Sequence, residues 1–94
     1  MAEIVWTEFA LQDLKSIHEY ISRDSQFYAD RFIDKIIDRV EQLIDFPNSG
    51  RIVPEFAQDS LRELIEGHYR IVYNLSPVEE VTILRIHHSA RLLK

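Results

Sequence analysis

Ninety-four residues, 46% of them hydrophobic, are enough for one core and no more; a chain of this size buries about 60–65% of its unfolded surface, so residues 1–94 are expected to form a single domain. The absence of cysteine removes disulfides and thiolate metal sites, and two glycines, three prolines and no repeat or biased tract argue against a linker or a disordered segment. The net charge of −5 is unevenly spread: residues 1–49 carry five basic and ten acidic side chains, residues 50–94 six of each, so strong nonspecific binding to RNA or DNA is not expected.

Glu3-Ile-Val-Trp6 is β-type and too short for a helix, so it reads as a strand with Trp6 as a core anchor. The start of the chain shows neither a basic region nor an apolar signal core, and no run approaches the ~20 apolar residues of a membrane span, so a cytoplasmic protein without membrane contact is expected. Thr7 is placed to cap a helix whose apolar stripe is Ala10, Leu14, Ile17 and Ile21, with Gln12, Asp13, Lys15, Ser16 and Glu19 on the wet side and His18 at the boundary. Asp24-Ser25 breaks the period and caps a second helix, whose buried face runs through Ala29, Phe32, Ile33, Ile36, Val40 and Leu43 until Phe46-Pro47. Its other face alternates acids with Arg31, Lys35 and Arg39, including the like-charge pair Asp34 and Asp38 at i,i+4. Only two or three residues part the helices, which predicts an antiparallel hairpin.

Pro47-Asn-Ser-Gly50 predicts a turn and 51–60 a loop held by Pro54. Leu61–Glu66, Tyr69–Leu75 and Val81–His88 read as three strands joined by Gly67-His68 and Ser76-Pro77. The fold class is therefore α+β, in the order β-α-α-β-β-β, with a helical hairpin covering one face of a small antiparallel sheet. Strand alternation puts Tyr69, Ile71 and Tyr73 toward the helices with Leu84 and Ile86 as core residues, and leaves Arg70, Arg85 and His87 on the uncovered side. That face is expected to be solvated, ligand-binding or covered by a partner.

The chain resembles the RelE/ParE superfamily of bacterial toxins, the growth-arresting halves of type II toxin–antitoxin pairs also described as plasmid stabilisation proteins. The resemblance rests on Trp6 through Asp13-Leu14 with Ile17 and Tyr20-Ile21, on Ala29 and Phe32, on Phe46-Pro47 with Gly50-Arg51 and Pro54, on Arg62-Glu63-Leu64, on Tyr69-Arg-Ile-Val-Tyr73, and on Ile86-His87 with Arg91. It implies the same fold, a cognate antitoxin whose extended or helical segment covers the toxin, and either a homodimer or a heterotetramer with that antitoxin. Arg62, Arg70 and Arg85 are the residues expected to meet the antitoxin.

Two mechanisms follow from the resemblance. A ParE-like toxin poisons DNA gyrase by protein contact, with Arg70, Arg85, His87 and Arg91 as target contacts and no catalysis. A RelE-like toxin is a ribosome-dependent mRNA endonuclease, in which His87 or His88 serves as acid or base, Glu63 or Glu55 as alternative base, and Arg70 and Arg85 hold the phosphate. Three lysines, a sequence pI of 5.3 and a tail that runs on from Ser89 to Lys94 favour the ParE-like reading; an inactive interaction module of the same fold is the third. Structural roles compete with each of these: Arg70 can pair with Glu63 or Glu66 across a hairpin, and adjacent histidines on a strand point to opposite faces, so His87 and His88 do not readily share a metal. No phosphate loop, dinucleotide motif or nucleophile elbow is present, and neither cofactor nor metal is expected.

Overall fold

The computed structural model describes residues 1–89; Arg91 and the rest of 90–94 lie outside the described residues. Strand β1 (Glu3–Trp6) leads into helix α1 (Glu8–Ser22), α2 (Gln26–Glu41) and a short 3-10 turn (Gln42–Ile44). Strands β2 (Arg51–Ile52), β3 (Leu61–Glu66), β4 (Tyr69–Leu75) and β5 (Glu80–His88) complete a five-stranded sheet in the order β1-β5-β4-β3-β2.

Both helices start at the expected caps: the Thr7 hydroxyl accepts from the Ala10 amide and the Ser25 hydroxyl from the Tyr28 amide, satisfying donors that the first turn leaves free. Their apolar stripes, Ala10, Leu14 and Ile17 with Ile36 and Val40, pack on Leu64, Ile71, Tyr73, Ile83 and Ile86 in one cluster, while Trp6 and Tyr69 pack on it half-buried. At the β3–β4 turn Gly67 takes a φ of +59°, the left-handed region that glycine enters without a steric cost.

Two parts of the sheet depart from the sequence reading. The β3–β4–β5 meander is antiparallel, but β1 joins β5 in parallel, Trp6 opposite Ile83, so the sheet is mixed. The predicted loop 51–60 also begins with a two-residue strand, with Arg51 opposite Glu63. Parity on β4 is as expected, Ile71 and Tyr73 being fully buried, but the register between β4 and β5 slips between Val72 and Tyr73, where Arg85 faces Val72 and Ile83 faces Tyr73. Leu84 is the extra residue of that bulge, which re-phases the strand. The expectation that Leu84 is core is corrected: it is half-buried, and Val81 and Ile83 take the core positions beside Ile86.

Candidate functional site

Charged groups gather at two places. The first lies on the sheet face away from the helices, where the segment after β2 folds back. The Val53 amide donates to the Leu61 carbonyl (3.0 Å), the Phe56 and Ala57 amides both return to the Val53 carbonyl, and Ala57 adopts a φ of 50°. That compact turn presents Glu55 to Arg70. Both Glu55 oxygens accept from the guanidinium, Oε2 from Nη1 at 2.6 Å and Oε1 from Nη2 at 2.8 Å, while Arg70 Nε donates to Glu63 Oε1 at 2.6 Å. The other Glu63 oxygen accepts from Arg51 Nε at 2.6 Å.

Burial accompanies this pairing. Glu63 is 1% exposed and Arg70 6%, the two buried charged residues among those described, and each has the charge-assisted bonds that make such burial tolerable. The forked bond from Arg70 holds the Glu55 carboxyl down at about 2, well below its ordinary 4.5, and the bond to Glu55 raises Arg70 further above its usual range. The expectation that Arg70 stands open on an uncovered face is therefore corrected: the 53–59 segment covers that part of the sheet, and all three guanidinium nitrogens already face carboxylates. Of the two cross-hairpin partners weighed for Arg70, Glu63 is the one it takes; Glu66 turns to the helix layer and pairs with Lys35 and Arg39 of α2.

The second place is the edge of β5. Strand β1 has four residues and β5 nine, so β1 runs out at Trp6 and the chain turns into α1. Thr7 spends its hydroxyl proton on the Ile83 carbonyl at 2.7 Å, and beyond it Asp13 takes over as acceptor. Its Oδ2 accepts from the Ile86 amide (2.9 Å) and from Arg85 Nε (2.8 Å), and its Oδ1 from Arg85 Nη2 (3.1 Å). This carboxylate closes a free strand edge and orients Arg85, whose pKa it raises. The Arg85 side chain is 51% exposed and lies 6.0 Å from the ring centroid of exposed Phe9.

Between this edge and α1 lies a cleft of about 460 Å³ lined by Asp13, Ser16, Tyr20, Tyr69, Arg85, His87 and His88, among others. His88 faces Tyr69 across the strands and meets its ring edge-on at 5.2 Å; His87 faces Arg70. The two histidines thus belong to alternate register positions, as expected from their adjacency.

The proposed residues do not converge. Glu63 and Arg70 are locked together under the 53–59 segment, Arg85 is held by Asp13 at the edge, and only Arg85, His87 and His88 share the cleft. Arg62, expected at the antitoxin surface, donates to the backbone carbonyls of Asp59 (3.1 Å) and Gly50 (2.9 Å) and ties the residue before β2 to the end of the β2–β3 connection. Arg91 is outside the described residues. Helical periodicity places Asp13 only on the wet side of the first helix, although it proves to be the residue that fixes Arg85. The signal available was length: a four-residue strand cannot pair a nine-residue neighbour to its end, which leaves an edge amide that a polar side chain of the following helix is placed to accept from. Among the described residues no group of three or more histidines, cysteines or acids is placed to hold a metal, and no helix is long and apolar enough to cross a membrane.

Residues 4–93 match the model of the ParE toxin of type II toxin–antitoxin systems. The chain belongs to this family of toxins. The family member is 35% identical over 92 residues to Toxin RelE2 of Caulobacter vibrioides, a match spanning 98% of this chain and all of that protein. Its fold is similar to a chain of the chromosomal ParDE toxin–antitoxin system of P. aeruginosa, with a TM-score of 0.76 and 25% identity over 94% of this chain and 96% of that one. It also shares the fold of a chain in the RelBE2 toxin–antitoxin complex of Mycobacterium tuberculosis, with a TM-score of 0.68 and 19% identity over 93% of this chain and 96% of that one. Type II toxin of the ParE/RelE superfamily is thus the class of this protein, built on the α+β fold read from its periodicities.

Proposed function

We propose that this toxin arrests growth by binding DNA gyrase as a protein ligand, is neutralised by a cognate antitoxin, and does not cut mRNA. One observation carries this reading: Arg70, a cation that a nuclease would place on a scissile phosphate, is buried and already spent on Glu55 and Glu63, outside the cleft that Arg85 shares with His87 and His88. An acid, a base and a free cation around one phosphate are what 2′-hydroxyl attack demands. Here both carboxylates weighed as base, Glu63 and Glu55, have their two oxygens on guanidiniums, so unmasking either means breaking the pairs that allow Glu63 and Arg70 to be buried.

A contact inhibitor needs only a shaped, oriented surface. The cleft between α1 and the β5 edge supplies one, with Arg85 aimed by Asp13 and backed by Phe9, and His87 beside it. For the antitoxin the cleft beside β5 and the exposed Phe9 near it invite an extended or helical segment. Of the three arginines assigned to that contact, Arg85 is the exposed one; half-buried Arg62 and buried Arg70 make bonds that hold the fold.

The purified toxin is expected to block gyrase supercoiling and to leave mRNA intact on programmed ribosomes. Arg85→Ala should abolish the block while the protein still folds. Ribosome-dependent cleavage that disappears in a His87→Ala variant would overturn the reading and make the protein an endonuclease. Antitoxin binding driven by apolar burial is expected to lose little affinity from low to high salt, and a steep loss would refute that part.

A further inference from the structure

A guanidinium offers two forked edges to an acceptor, a side-on edge made by Nε with Nη2 and an end-on edge made by Nη1 with Nη2. Arg70 has both filled. Glu63 Oε1 takes the side-on edge, facing Nε and Nη2, and Glu55 takes the end-on edge with one oxygen on each Nη, at 2.6 and 2.8 Å. Arg85 has one filled. Asp13 takes the side-on edge, with Oδ2 on Nε and Oδ1 on Nη2, and among the described residues nothing accepts from Nη1 to complete the end-on edge.

That open edge is held in place. Two bonds from Asp13 fix the plane of the Arg85 guanidinium, whereas Arg51, 61% exposed and bonded to Glu63 through Nε alone, is free to turn. Asp13 is in turn tied to the strand by the Ile86 amide, so the fork is anchored on β5. Phe9, one turn earlier on α1, sets its exposed ring beside the same guanidinium. A group docking end-on therefore meets a cation that is already ordered, with apolar surface next to it. A carboxylate fits such an edge, being planar with two oxygens at the spacing of the fork, and Glu55 on Arg70 shows the fit within this chain. A nucleic-acid phosphate brings neighbouring negative charges with it; against a chain of net charge −5, and an arginine already neutralised by Asp13, a polyanion gains less than a single acidic side chain.

We propose that Arg85 recognises an acidic side chain, Asp or Glu, on the surface of gyrase, which forks its end-on edge as Glu55 forks that of Arg70. The inference rests on the gyrase reading above and adds to it the chemistry of the group that the target must supply. Arg70 is the completed form of this contact, filled from within the chain; Arg85 is the same contact with one half left for the partner.

Arg85→Lys tests it, because lysine keeps the positive charge and a partner for Asp13 but presents no fork. Its affinity for purified gyrase free of DNA, read by biolayer interferometry, is expected to fall about tenfold or more below that of the wild-type chain, at an unchanged melting temperature. The same variant puts an amine where the fork was. When gyrase carboxylates are first activated with a carbodiimide and the excess reagent is quenched, that amine attacks an activated carboxyl to form an amide. Mass spectrometry is then expected to find a cross-link from position 85 to an Asp or Glu of gyrase, above the background set by the wild-type chain, which shares Lys15, Lys35 and Lys94. A wild-type chain that does not bind gyrase at all overturns the gyrase reading and this proposal with it. Gyrase binding that is intact in Arg85→Lys, or the absence of a cross-link from position 85, overturns the proposal and leaves the gyrase reading standing. Binding that appears only when DNA is present does the same, since a phosphate would then fill the fork.

Discussion

The two arginine–carboxylate sites use the same chemistry with opposite consequences. Arg70 is 6% exposed and ringed by Glu55 and Glu63, so its charge is absorbed into the fold. The Arg85 side chain is 51% exposed, held on one side by Asp13 and open on the other, so its charge is displayed. What separates them is the backbone over each: the 53–59 segment folds across Arg70, whereas β1 stops before it can cover the outer length of β5. Identical side chains on neighbouring strands thus become a staple in one place and a contact in the other. The comparison breaks if removing Arg70 leaves stability intact, or if removing the Asp13–Arg85 pair costs as much.

The largest effect is expected at the staple. Arg70→Ala leaves Glu63, 1% exposed, with one guanidinium in place of two and frees the Glu55 turn; breaking a buried pair in this way costs about 3–5 kcal/mol, measured by urea unfolding. Exchanging the whole pair for apolar residues, Arg70→Met with Glu63→Leu, should recover much of the loss, because no charge is then stranded. A smaller effect is expected where the β2 segment is pinned. Gly50 lies under Tyr73, whose hydroxyl accepts from the Gly50 amide at 2.9 Å and donates to the Pro47 carbonyl at 2.8 Å. A Cβ there would come within 2.8 Å of the Glu63 carbonyl oxygen as well as against the Tyr73 ring, so Gly50→Ala should cost about 1–3 kcal/mol through overpacking and lower the melting temperature accordingly.

Smaller still is the expected stability change at the open site. Asp13→Ala strips the Ile86 amide of its acceptor and releases Arg85, at a cost of about 1–2 kcal/mol. The functional loss should be disproportionate: growth arrest on induction is expected to disappear although the protein still folds, because Arg85 is no longer aimed. Growth arrest that survives Asp13→Ala at full strength would show that this orientation is not used.

The elements themselves were legible because they depend on local pattern. The spacing of Ala10, Leu14 and Ile17, the caps Thr7 and Ser25, and the glycine turn at Gly67 are each set within a few residues, and the αα-hairpin and meander follow from short connections. The site was only half legible, for reasons of distance. That Glu55 reaches Arg70 depends on the path of a turn through Ala57 at positive φ, and that Leu84 leaves the core depends on a bulge; neither has a periodic signature. The parallel β1–β5 pairing joins strands from opposite ends of the chain, Glu3 to Glu80. Because Asp13 acts through that pairing, its role was hidden behind an ordinary wet helix position.

The finest test of the contrast is pH, since the bond from Arg70 lowers the pKa of the Glu55 carboxyl. Glu55 has its folded pKa depressed from 4.5 to about 2, first by the bond from Arg70, with burial opposing. A group more acidic in the folded than in the unfolded chain binds fewer protons when folded, so its contribution to stability is fully present above about 4.5 and is lost as pH falls toward 2. The Glu55→Gln substitution keeps the shape of the side chain and removes the titration. The stability difference between wild type and Glu55→Gln, read from urea unfolding at successive pH values, should be constant near neutrality, begin to close below about 4.5, and vanish near 2. A difference that is flat down to the acid limit would mean that Arg70 does not grip Glu55 in solution, and with it the strap that hides this arginine, and separates it from Arg85, would be gone.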